Sequence, residues 1–68
     1  MNPELRKLTN GTYQEVLADK WTAEYAEDPA TGLWEVVVLK QDVNEWRETG
    51  YATIEDAQRA AHEFHDQS

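Results

Sequence analysis

The chain has 68 residues, no Cys, and six Lys and Arg against fourteen Asp and Glu, a net charge of −8. That length predicts one small domain over residues 1–68, which the elements below make α+β and whose stability rests on a few large side chains: three Trp, three Tyr and one Phe. The charge disfavours direct nucleic-acid binding and anionic membranes, and the absence of Cys excludes disulfides and thiolate metal sites.

Met1-Asn2-Pro3-Glu4-Leu5-Arg6-Lys7 lacks the apolar run of a signal peptide and no later stretch is long enough to span a bilayer, so a cytoplasmic location is expected. Residues 12–20 admit two readings. Thr12-Tyr13-Gln14-Glu15 matches a capping box, and Tyr13, Val16, Leu17 and Lys20 recur at helical spacing, which favours a short helix. The alternative is a strand, because Thr9-Asn10-Gly11-Thr12 contains the Asn-Gly pair that closes hairpins.

Three strands follow. Trp21 to Tyr25 alternates, with Trp21, Ala23 and Tyr25 on one side, and Asp28-Pro29-Ala30-Thr31-Gly32 supplies a turn. Leu33 to Leu39 is apolar on both sides, with Trp34, Val36 and Val38 opposed to Leu33, Val37 and Leu39, which marks it as the central strand. A second face of this kind needs a cover, and the N-terminal element is the candidate. After a turn at Gln41-Asp42-Val43-Asn44, Glu45 to Thr49 reads as a charged edge strand.

Gly50 breaks the chain before the strongest element. Thr53 is an N-cap with Asp56 three residues on, and Glu55 and Asp56 lie in the first turn, where the helix dipole favours acids. Ile54, Ala57, Ala60, Ala61 and Phe64 form an apolar stripe from about Ile54 to His65, leaving Glu55, Gln58, Arg59, His62 and Glu63 turned outward. The result is a three-stranded antiparallel sheet with a C-terminal helix on one face. The Ala lining implies close approach to the sheet, and core packing is expected to use at least two of the Trp.

No catalytic inventory is visible. His62 and His65 are three apart rather than the four of a zinc-protease helix and are better placed to complement the helix C-terminus. Ser68 is the sole Ser, no glycine-rich phosphate loop exists, and the paired carboxylates lack an evident cleft. The expectation is a non-enzyme without metal or cofactor.

What remains is acidic surface. Glu24, Glu35, Glu45 and Glu48 on strands, with Glu27, Asp28 and Asp42 at turns, are the candidate partner-binding residues, and a half-exposed Trp46 beside them is the candidate hot spot. Alternate strand residues stand roughly 6.5–7 Å apart, near phosphate spacing, so such Glu rows can imitate DNA. The expected partner is a basic surface, for instance in a nucleic-acid-binding complex. The alternative is an assembly module that dimerises through its sheet.

Gly32-Leu33-Trp34-Glu35-Val36 followed by Gly50-Tyr51-Ala52-Thr53 and the Ala-rich helix resembles the strand–strand–strand–helix modules of integrase arm-binding and AP2-like domains, from about Trp21 to His65. The resemblance implies their fold. Their DNA binding does not carry over, because Glu35, Glu45 and Glu48 stand on the corresponding strands beside only Lys40 and Arg47. In size, charge and lack of catalytic groups the chain is also similar to small phage-encoded inhibitors of the anti-CRISPR type.

Overall fold

A computed structural model of the chain describes residues 5–8 and 11–67. Five strands, β1 (Arg6–Lys7), β2 (Tyr13–Ala18), β3 (Trp21–Glu27), β4 (Trp34–Lys40) and β5 (Val43–Tyr51), precede one helix, α1 (Ile54–Asp66). The strands form an antiparallel meander in sequence order, β1-β2-β3-β4-β5. The fold is thus α+β with a C-terminal helix on one sheet face, and β3-β4-β5-α1 has the expected order. The sheet nevertheless has five strands rather than three.

The two added strands come from the ambiguous N-terminal stretch. Thr12 does not cap a helix. Its carbonyl accepts from Leu8 N at 2.7 Å, and Gly11, at φ +85°, donates to the Leu8 carbonyl at 3.1 Å, closing a β1–β2 hairpin. Thr9 and Asn10 themselves lie outside the described residues. In β2, Tyr13 pairs with Tyr25 and Glu15 with Ala23, so Tyr13 and Glu15 share the face of the buried Ala23 and Tyr25. The alternation is Tyr, Glu, Leu inward, and the central Glu hides it from a hydrophobicity scan.

This correction changes the second face of the sheet. The N-terminal element widens the sheet instead of covering it, and the geometric centre is β3, with β4 interior beside it. Val36 and Val38 of β4 are buried under α1, whereas Val37 and Leu39 remain half-exposed on the open face and Val16 is 69% exposed there. Register places Gln14, Glu24, Val37 and Arg47 in one row of that face, and Val16, Thr22, Leu39 and Asn44 in the next.

The strands are also longer than the sequence implies. Lys40 pairs with Val43, so Gln41-Asp42 is a two-residue hairpin and Val43 and Asn44 belong to β5. Both turn residues sit at positive φ, 52° and 66°, the geometry a right-twisted hairpin requires. Two bulges interrupt β5 opposite β4. At one of them Gly50 takes φ +100°, a conformation from which L side chains are sterically excluded.

Helix α1 begins where its sequence directs. Thr53 is extended, at φ −136° and ψ 161°, and its hydroxyl accepts from Asp56 N at 3.1 Å. Ala57 and Ala61 are fully buried against Ala23, Tyr25, Val36 and Val38, so the helix lies close over β3, β4 and β5, above all β4. The small residues permit this approach. All three Trp pack against the core as expected, though half-buried at its margin, and the large side chain at its centre is Tyr25. Among the described residues no helix is long and apolar enough to cross a membrane.

Candidate functional site

The helix–sheet interface encloses one acidic group. Glu15 is 1% exposed, and its carboxyl group accepts the Tyr25 hydroxyl at 2.6 Å and Gln58 Nε2 at 3.5 Å on Oε1, while Oε2 meets His62 Nε2 at 2.8 Å. A buried carboxyl group without donors is strongly destabilising, and here three surround it. Tyr25 comes from β3, Gln58 and His62 from successive turns of α1, so the cluster ties β2 to the helix across the core. The Tyr25 hydroxyl is held far above its ordinary pKa, first by burial, then by its hydrogen bond to Glu15 and the charge there.

This arrangement corrects the outward placement of Gln58 and His62. Both lean over the sheet to reach Glu15. His65 instead packs edge-on against Trp21, with ring centroids 5.1 Å apart, so the two His serve different contacts. Among the described residues no group of three or more His, Asp or Glu is placed to hold a metal. The Glu15 cluster can orient an imidazole and hold a proton. Its packing makes it first of all a polar tie between layers.

The anticipated surface acids do not fall on one face. Glu24 and Glu35 point to the open face, whereas Glu48 stands opposite Val36 on the helix side, so no single phosphate-like row contains them all. Glu27, Asp28 and Glu35 do meet, around a dent of about 240 Å³ completed by Ala26, Pro29 and Thr49. Two of these carboxylates are already engaged. Asp28 accepts from Ala30 N at 2.9 Å to shape its turn, and Glu35 is paired with Arg47, whose Nε donates at 2.7 Å. Asp42 lies apart at the β4–β5 hairpin tip.

A second group gathers on the flank between β5 and α1. Trp46 is half-buried and stacks on Phe64 with centroids 5.1 Å apart and planes 10° from parallel. With Ala60, Glu63 and Gln67 these rings line a groove of about 240 Å³. Glu45 and Glu48 flank Trp46 on the strand, and both are exposed. Tyr51, farther along β5, has its phenol pKa raised by partial burial and then by the charges of Glu48 and Glu63, so strand and helix carboxylates act on one region. Glu63 was not among the anticipated residues. The signal available for it was the outward side of the α1 stripe, which does not say that β5 lies alongside.

Cations do little to neutralise this flank. Arg47 pairs with Glu35 on the open face and Arg59 with Asp56 at 3.6 Å; among the described residues no other surface carboxylate is ion-paired with Lys or Arg. Lys40 lies 5.4 Å from the Trp21 ring and Lys7 5.9 Å from the Tyr13 ring. No protein-family model matches the chain, and neither does any curated protein or solved structure compared with it.

Proposed function

We propose that this chain is a non-enzymatic binding protein that presents its acidic surface to a basic partner, with the β5–α1 flank as the principal contact. The observation that carries this reading is the convergence of Glu48 and Glu63, neither ion-paired with Lys or Arg among the described residues, beside a half-buried Trp46 that Glu45 adjoins on the strand. Unneutralised carboxylates attract a cationic surface at long range, and a partly exposed Trp supplies the apolar contact that holds it. The narrower form of the proposal is inhibition of a nucleic-acid-binding complex, whose binding channel is basic by necessity. Reversal of Glu48 and Glu63 to Lys is expected to abolish capture of an unstructured Lys/Arg-rich peptide at low salt. Retained capture by that variant counts against the reading.

A second reading is favoured by a separate observation, the uncovered sheet face. Val37 and Leu39 of β4 form a short apolar strip there, with Glu24 and Arg47 on either side of Val37 and, on β2, Val16 beyond Thr22. Two copies would bury the strip by face-to-face packing, at the usual sheet separation of about 10 Å. Because each copy carries −8, screening is expected to promote such a dimer, opposite to its effect on a basic partner. Sedimentation as a monomer at high protein concentration and high salt eliminates it.

A further inference from the structure

We infer that the groove between β5 and α1 is an arginine-binding groove, in which a partner's guanidinium lies against Trp46 and donates to the Glu63 carboxylate. The inference rests on the acidic-surface reading and assigns its anchor. At about 240 Å³ the groove is below the roughly 300–1,000 Å³ of sites for drug-sized ligands, a scale suited to one inserted side chain. Its lining has two chemistries. The stacked rings of Trp46 and Phe64, with Ala60, form an apolar wall, and Glu63 and Gln67 supply acceptors at the helix side.

An apolar anchor such as Leu satisfies only the wall and desolvates Glu63 without compensation. An ammonium can sit over a ring, as Lys7 and Lys40 do here, but as a compact point charge it does not lie flat on the ring and present a fork of donors to the carboxylate together. A guanidinium is planar, stacks on aromatic faces and presents a fork of donors to a carboxylate, so it meets both walls at once. Glu48, opposite Val36 on the helix side of β5, extends the negative charge along the strand. The chain already sets cations against rings at Trp21 and Tyr13, while Trp46 has an aromatic neighbour and, among the described residues, no cation over it.

The test is titration of the full chain with hexa-arginine and hexa-lysine peptides, followed by NMR at the indole Nε1–H resonances of the three Trp. Saturable movement of the Trp46 resonance is expected, with hexa-arginine bound several-fold tighter than hexa-lysine. Glu63→Gln, an isosteric surface change, is expected to weaken hexa-arginine by about three- to tenfold and to erase most of the preference. Trp46→Phe, which preserves a ring over Phe64, is expected to produce a smaller loss. Peptide binding that leaves Trp46 unmoved, or is indifferent to Glu63→Gln, overturns the groove while leaving the acidic-surface reading intact. Equal affinity for the two peptides also overturns the guanidinium assignment. Failure of both peptides to bind removes the acidic-surface reading and the groove with it.

Discussion

At the scale of single residues, Glu15 governs how the fold tolerates change. Its carboxyl group has three hydrogen-bond partners and almost no solvent, so Glu15→Ala leaves the Tyr25 hydroxyl, Gln58 and His62 facing a void. A loss of about 2–4 kcal/mol in chemical denaturation is expected. Tyr25→Phe removes one donor and is expected to lower stability by about 1–3 kcal/mol. The double variant Glu15→Met with Tyr25→Phe should be less damaging than the sum of its parts, because the two changes delete both ends of one hydrogen bond. The same contact sets an alkaline limit. The folded phenol of Tyr25 titrates far above the roughly 10 of an unfolded Tyr, so as pH rises past about 10 the unfolded chain releases its proton first. Stability is therefore full below that value and falls above it, and Tyr25→Phe is expected to flatten this slope in unfolding curves measured across alkaline pH.

Elements are where the sequence and the structure part company most clearly. The helix was legible because cap, dipole and Ala stripe are local and agree, and Thr53→Ala is expected to lower stability by about 1 kcal/mol through loss of the bond to Asp56 N. Strands β3 and β4 were legible from their alternation. Strand β2 was legible only as the alternative that the Asn-Gly pair raised, since its inward position is a Glu whose partners lie ten to forty-seven residues away. No local pattern announces a buried polar tie, and a capping-box match at Thr12 competed with it. The acids of the flank were legible one by one, but their convergence with Glu63 depends on helix packing against β5. The β4–β5 hairpin offers a further check. Gln41 holds positive φ without the short side chain that tolerates it, so Gln41→Asn is expected to raise stability by up to about 1 kcal/mol in the same denaturation assay.

For the whole molecule, asymmetry is the central property: one sheet face is closed by α1, the other is open, and the free β5 edge borders an acidic, aromatic groove. Bulges, exposed charges and Gly50 on β5 discourage further strand pairing there, so side chains rather than backbone define the contact. On the proposed reading, position and not net charge alone determines binding to a basic partner. The most direct measurement compares two variants of equal net charge, Glu48→Lys with Glu63→Lys and Asp19→Lys with the open-face Glu24→Lys, for affinity to hexa-arginine at low and physiological salt. The account predicts a large loss for the flank pair, a small one for the distant pair, and affinity in the wild-type chain that falls as salt rises. Equal losses in the two variants, or affinity that ignores salt, would contradict it.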